Sequence, residues 1–146
     1  MKKPKAVVDT NLLVNGIIVP KGNPYFLLEA WRKGLFTLVT SQQQLDKLEE
    51  VLTRPKIYKT YHLLPKDISI IIQLINQKAV IVLPSKTSPV LVRDSKDTFV
   101  IQTALAGKAD YIVSGDKDLL VLNNDAKLTP LFILTASEFR SSIITI

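Results

Sequence analysis

Five short apolar runs alternate with segments that carry helix signals, and this alternation limits the fold more than any other feature of the chain. The runs are rich in β-branched residues and are continuously apolar, as expected of strands in a parallel sheet that helices cover on both faces. They occupy residues 5–9, 36–40, 79–83, 111–114 and 131–135. A single open α/β sandwich is therefore the predicted architecture.

Residues that start and stop helices lie between these runs. Asn23 with Pro24 offers a start and Gly34 a stop, while Ser41 and Gln44 match a capping box. The remaining signals are the starts at Pro65, at Asp94 with Asp97 and at Thr135 with Glu138, and the stops at Arg54-Pro55 and Gly107. Each of the first three gaps between runs thus contains at least one predicted helix, and a last helix is predicted at the end of the fifth run.

Length, charge and cysteine content limit the possible functions. The 146 residues suit one domain, residues 1–146, and the net charge of +6 favours a polyanionic partner such as RNA, DNA or an acidic protein segment. The chain has no cysteine, which excludes disulfides and thiolate metal sites and suits a reducing cytoplasm.

Neither a signal peptide nor a membrane span is expected. The N-terminal "MKKPKAVVD" has no long apolar core, and polar residues from Gln73 to Lys78 interrupt the apolar stretch that begins at Ile68. A protein without a membrane segment, acting in the cytoplasm, is the expectation.

Acidic side chains follow the predicted strands. Asp9 ends the first run, Asp116 follows the fourth, and Asp97 lies at the start of the helix that precedes the fourth run. Ligands of open parallel sheets bind beyond the carboxyl ends of the strands, so these three carboxylates could meet at one edge. Close like charges repel one another or recruit a divalent cation, and hard Mg²⁺ or Mn²⁺ takes oxygen ligands.

Each acid also has a purely local interpretation. Asp9, Thr10 and Asn11 could form a turn, and Asp94 with Asp97 could only cap a helix. Asp116 could likewise cap the short segment after it, with Asp118 as a solvated acid in the first turn. Taken one at a time, these residues do not distinguish a metal site from ordinary helix and turn chemistry.

Three blocks of sequence resemble the PIN-domain family of the toxin–antitoxin type. They are "KAVVDTNLLVNGII", "VTSQQQLDKLEEVLTRPK" and "RDSKDTFVIQTALAGKADYIVSGDKDLL", in that order and over nearly the whole chain. The resemblance implies a three-layer α/β/α sandwich around a parallel sheet of about five strands. It also implies an acidic cluster that binds Mg²⁺ or Mn²⁺, endonucleolytic cleavage of RNA, an antitoxin protein as partner and a possible homodimer.

The resemblance assigns roles to individual residues. Asp9, Asp97 and Asp116 match the family's metal-binding and catalytic acids, and Asp94 and Asp118 match flanking acids of secondary importance. Asn11 would hold the loop near the metal, and Ser114 would place a hydroxyl ahead of the last acid. Apart from the resemblance, Arg93 and Lys117 are the predicted RNA contacts, because each lies next to an acid in the sequence.

The helix after the second strand departs from the family pattern at one position. Aligning Ser41, Leu45 and Leu48 with that pattern places Lys47 where the family has a glutamate. An ammonium group there would repel a cation by several kcal/mol at an effective dielectric constant near 20. Glu50 could replace the missing ligand, Asp46 is a poorer choice because it points about 100° away, or Lys47 could itself contact phosphate.

Two functions of different kinds follow. The first is a ribonuclease that holds one or two Mg²⁺ or Mn²⁺ ions through the three aspartates, with Glu50 as a possible fourth ligand. The second is a catalytically weakened module that binds RNA or an antitoxin, because Lys47 replaces an acid. A receiver-like domain and a haloacid-dehalogenase-like phosphatase are both disfavoured, since "VVDTN" supplies one acid where each of them needs two.

Overall fold

A five-stranded, all-parallel sheet forms the centre of the protein, with the strand order β3-β2-β1-β4-β5. The computed structural model describes residues 3–90 and 95–144. All five predicted strands are present, each shorter than the apolar run that predicted it. They are β1 (Lys5–Val8), β2 (Thr37–Thr40), β3 (Val80–Ile81), β4 (Tyr111–Val113) and β5 (Phe132–Leu134).

Seven α-helices connect these strands in the described part of the chain, and an eighth follows the last strand. They are α1 (Thr10–Ile18), α2 (Asn23–Arg32), α3 (Gln42–Leu52), α4 (Pro55–Thr60), α5 (Pro65–Lys78), α6 (Ser95–Ala106), α7 (Lys117–Leu120) and α8 (Ala136–Ile144). The fold is therefore the predicted α/β class.

Alternate residues of the strands enter different hydrophobic clusters, which shows that both faces of the sheet are covered. Ala6 and Val8 pack with residues of α1, α2, α3, α5 and α8. Val7 and Val39 pack on the opposite face with residues of α6 and α7. Because successive strand side chains point to opposite faces, continuously apolar strands require a helical layer on each side. This arrangement is the expected three-layer sandwich.

Two predicted capping boxes have different outcomes. Thr135 and Glu138 form both reciprocal bonds at the start of α8, at 2.9 Å and 3.1 Å. At the start of α3, Ser41 Oγ accepts from the Gln44 backbone N–H at 3.3 Å, but the Gln44 side chain does not return to Ser41. It is buried instead between β1 and β2, so this prediction is only half right.

Two helices, α1 and α4, have no counterpart in the sequence interpretation, and a third, α7, appears there only as a local alternative. α1 begins immediately after Asp9, in a segment that sequence favours as a turn. α4 begins at Pro55, because a proline that ends one helix is also well suited to the first turn of the next. α7 is the short segment that Asp116 caps.

The strand order places its reversal between β1 and β4. From β1 the chain moves outward to β2 and β3, and then α6 returns it to β4 on the other side of β1. Val8 pairs with Val113 in register, and the Asp9 backbone N–H continues the ladder by donating to Val113 O at 2.9 Å. The residues that follow these two strands are therefore neighbours at the point where open α/β sheets bind their ligands.

Gly16 allows α1 to approach α2 closely behind this edge. A Cβ atom at Gly16 would lie 2.7 Å from the backbone oxygen of Pro24, closer than real Cβ contacts. Since α1 starts directly after Asp9, its packing against α2 also fixes the position of the residues that follow Asp9.

We expect Gly16→Ala to lower the free energy of unfolding by about 1–2 kcal/mol. Overpacking against a rigid backbone atom costs about 1–3 kcal/mol, which exceeds the gain of up to about 1 kcal/mol from replacing a helical glycine. Urea denaturation followed by circular dichroism measures the change. Gly115→Ala is the matched control, because its Cβ would meet no atom within 4 Å; equal stability of the two variants would contradict the packing argument.

Candidate metal centre

The hydroxyl of Ser114 connects the two acids that follow β1 and β4. Ser114 is fully buried, and its Oγ donates to Asp9 Oδ2 at 2.8 Å. The same Oγ accepts from the backbone N–H of Asp116 at 3.0 Å. One hydroxyl thus fixes the orientation of the Asp9 carboxylate and the start of the turn that carries Asp116.

Asp97, Asp116 and Asp118 form a compact group of carboxylates. One oxygen from each lies within 4.8 Å of the others. Asp97 comes from the first turn of α6 and is buried, whereas Asp116 and Asp118 come from the turn after β4 and are half-buried. Two segments far apart in sequence therefore contribute to one cluster.

Asp116 also has the local role that the sequence allowed. Its Oδ1 accepts from the backbone N–H of Asp118 at 2.9 Å, which caps the short helix α7. Capping and membership of the cluster are compatible, since the bond occupies one carboxylate oxygen. The cap also fixes the position of Asp118 relative to Asp116.

The donor set of this cluster fits a hard divalent cation. Mg²⁺ and Mn²⁺ take carboxylate oxygens and retain several waters, so a few carboxylates at the rim of a rigid sheet can bind them. Asp97 contributes a buried oxygen, Oδ2, for which the described residues supply no hydrogen-bond donor, although the residue takes part in other interactions. A group of like charges at this separation is expected to favour binding of a cation.

Asp9 lies beside this group rather than in it. It is 7% exposed, follows β1 and lines a cavity of about 440 Å³. Its neighbours along the chain, Thr10 and Asn11, line the same cavity. Through Ser114 the Asp9 carboxylate is held next to the segment that carries Asp116 and Asp118.

The structure places Glu50 on the exposed surface of α3, engaged with two cations. Arg54 Nε and Nη2 donate to its two oxygens at 3.0 Å and 2.9 Å, and Lys47 Nζ lies 3.5 Å from Oε2. The hydrogen bonds from Arg54 and the two positive charges hold the pKa of Glu50 below its ordinary value. Asp46 is also exposed and accepts from Gln42. This geometry gives neither residue a place in the carboxylate group.

Lys47 lines the cavity beside Asp9, together with Lys96 at the start of α6. The position that the resemblance assigns to a glutamate therefore does face the site. The residue that lines the cavity there is a lysine instead of a glutamate.

Gln44 is a structural member of the site that the sequence identified only as half of a capping box. Its Oε1 accepts from Thr40 Oγ1 at 3.1 Å, and its Nε2 donates to Val8 O at 3.5 Å. It thereby ties the carboxyl ends of β1 and β2 to α3, directly beside Asp9. The available signal was a polar residue on the apolar face of α3, four positions from Leu48.

The remaining predicted residues lie at different distances from this centre. Asn11 is exposed at the cavity, and Lys117 is exposed on α7 between Asp116 and Asp118. Arg93 and Asp94 fall outside the described residues. Their predicted roles in RNA contact and in the acidic cluster stay predictions.

Comparison with known proteins identifies the family. The family model described as PIN domain matches residues 5–118. The chain belongs to the PIN domain family. PIN domains are typically nucleases and usually use divalent metals, so membership indicates a nuclease, and the match covers both β1 with Asp9 and the turn with Asp118.

A relative of this PIN domain is "Uncharacterized protein MJ1680" of Methanocaldococcus jannaschii. The two sequences are 31% identical over 125 residues, which is 86% of this chain and 79% of the relative. Within the described residues of the PIN domain, no helix combines the length and apolar character that a membrane crossing requires.

Ser114→Ala is expected to lower the free energy of unfolding of this PIN domain by about 1–3 kcal/mol. Removing the hydroxyl leaves buried Asp9 Oδ2 without its donor, and the cost of such a group has that magnitude. Thermal or urea unfolding at neutral pH provides the measurement. Ser69→Ala, on the exposed face of α5, should change stability by no more than about 0.5 kcal/mol, and an equal effect of both variants would contradict the bridging role.

Proposed function

We propose that this PIN domain is an endoribonuclease that requires Mg²⁺ or Mn²⁺. The observation that carries the proposal is the convergence of Asp97, Asp116 and Asp118 within 4.8 Å at the switch point of the sheet. Asp9 lies beside them, oriented by Ser114. Membership of a family of nucleases supports hydrolysis of a phosphodiester as the reaction.

The clustered carboxylates and Asp9 have different proposed roles. The three clustered carboxylates would hold the cation, and Asp9 would complete the site from the end of β1. When bound, a divalent cation activates water and neutralises charge that develops on the phosphodiester. Asp9 Oδ1, the oxygen not bonded to Ser114, would accept a proton from the attacking water or bind the cation directly.

RNA is the proposed substrate because the toxin–antitoxin PIN domains that the chain resembles cleave RNA, and the charge of the chain suits a polyanion. The net charge is +6, and exposed Lys117 lies between two of the clustered acids in sequence. Phosphate contacts of this kind position the backbone and make binding sensitive to salt. Arg93 is retained as a further proposed contact.

The toxin role is proposed on the resemblance to toxin–antitoxin PIN domains. It includes an antitoxin protein as partner, action in the cytoplasm and a possible homodimer. The absence of cysteine supports a reducing compartment.

Lys47 favours a second candidate, a catalytically weakened module that binds RNA or an antitoxin. Its side chain lines the same cavity as Asp9, where a positive charge opposes a cation. Metal binding distinguishes the two candidates, because a module that only binds RNA has no need of metal uptake through the acids.

Asp116→Asn is expected to reduce Mn²⁺-dependent cleavage of RNA by at least about 100-fold, because the cation that would neutralise the developing charge loses one of its proposed ligands. Mn²⁺ at about 100 times its dissociation constant should also stabilise the wild-type fold by about 2.7 kcal/mol and stabilise this variant much less. Gel analysis of an end-labelled RNA and thermal unfolding with and without Mn²⁺ measure the two effects.

Glu49→Gln, an exposed change on α3 outside the cluster, serves as the control and should retain both properties. Wild-type cleavage rates in the Asp116→Asn variant would overturn the assignment of Asp116. Absence of Mn²⁺ stabilisation in the wild type would favour the weakened module.

Lys47→Glu is expected to increase Mn²⁺ affinity by about tenfold, because it replaces a repulsive charge beside the site with an attractive one. Isothermal titration calorimetry measures this affinity. Lys66→Glu makes the same change in charge on an exposed residue of α5 and should leave affinity within about twofold. The same increase in both variants would show a general effect of net charge rather than an effect of position 47.

A further inference from the structure

The cavity beside the metal centre has features that the acidic cluster does not explain. It is about 440 Å³ in volume and extends from Asp9, Thr10 and Asn11 to α3 on one side and to the start of α6 on the other. Cavities of about 300–1,000 Å³ accommodate small organic ligands. A single nucleotide is in this size class, whereas a cation with its waters fills only a small part of it.

Part of the cavity lining is apolar and includes an aromatic side chain. Val51 of α3 and Val100 and Phe99 of α6 line it. Phe99 is half-buried, so part of its side chain remains accessible. Aromatic side chains of this kind are surfaces on which nucleobases stack.

Two basic residues line the same space. Lys47 and Lys96 both line the cavity. Lys47 Nζ lies 3.5 Å from Glu50 Oε2, and the Lys47 side chain is 55% exposed. Because the two close bonds from Arg54 hold Glu50 in turn, Lys47 is positioned by a long ion pair and is still accessible to a phosphate.

The cavity lining combines groups that suit the parts of one nucleotide. It includes Asp9, next to the carboxylates that would hold the scissile phosphate, as well as Lys47 and Phe99. A base can enter such a space only when it is unpaired and turned out of its stack, since a base pair in a duplex presents only its edges.

On these grounds, and resting on the proposed ribonuclease function, we propose that the cavity is a subsite for the nucleotide that adjoins the scissile phosphate. Its base packs against Phe99, and its phosphate pairs with Lys47. The lysine at position 47 serves substrate binding at a place where the family resemblance predicts a metal ligand.

The test measures RNA binding without cleavage. Fluorescence anisotropy in EDTA measures the affinity of the protein for a labelled single-stranded 12-mer and for the same strand in a duplex. Repulsion from the unneutralised carboxylates acts on both RNAs and all variants, so the comparisons are internally matched. The single strand is expected to bind at least about tenfold more tightly, consistent with the value of one stacked base.

Two variants separate the contributions of charge and stacking. Lys47→Gln should weaken binding and reduce the slope of log affinity against log salt by about 0.7, the value for one phosphate contact with a single strand. Phe99→Leu retains apolar volume, so the fold is preserved, and should weaken binding at least about fivefold with an unchanged slope. Lys66→Gln, on α5 and outside the cavity lining, should alter binding less than about twofold.

The outcomes distinguish this inference from the function on which it rests. Equal affinity for single-stranded and duplex RNA, or no effect of Phe99→Leu, overturns the subsite even if Mn²⁺-dependent cleavage is intact. Selective single-strand binding that depends on Lys47 and Phe99 supports the subsite even if no cleavage is found, in which case only the ribonuclease proposal fails.

Discussion

Like charges held close together at the switch point of the sheet are the constraint on which the rest of the structure depends. Asp97, Asp116 and Asp118 approach within 4.8 Å, an arrangement that is unfavourable unless the scaffold is rigid or a cation is bound. Rigidity comes from β1 and β4 as in-register neighbours and from the Ser114 hydroxyl that joins Asp9 to the following turn. Helices cover both faces behind this edge, so the sheet cannot relax by moving the acids apart.

Charge around the centre is distributed in an unusual way for a site that binds a cation. Lys47 lines the cavity, and Glu50 on the same helix is engaged by Arg54 and Lys47. The low pKa of Glu50 follows from these contacts and keeps it ionised as a partner for the lysine. The site therefore has a carboxylate side, suited to metal, and a basic and apolar side, suited to a nucleotide.

Most of the fold could be predicted from the sequence because its signals are local. The continuously apolar strands follow from burial on both faces, and the stop at Gly34 follows from a backbone with φ of +81°. The misses have physical reasons as well. The sequence does not predict α1 because Asp9-Thr10-Asn11 suits a turn and a helix start equally. In the structure Asp9 makes no side-chain cap for this helix. The Gln44 side chain does not complete the capping box because it is buried between β1 and β2, where its amide bonds to Thr40 and Val8 instead.

The sequence by itself determined the α/β class, the PIN-like blocks and the identity of the acids, since apolar periodicity and short motifs depend on residues close together in the chain. Only the tertiary structure decided which acids share a cluster, that Ser114 bridges Asp9 and Asp116, and that Lys47 and Phe99 border one cavity. These relations join residues that the chain separates widely, and they depend on strand order and helix packing. Strand order depends on how the apolar faces of all the helices and strands are buried together. No single segment of the sequence contains that information.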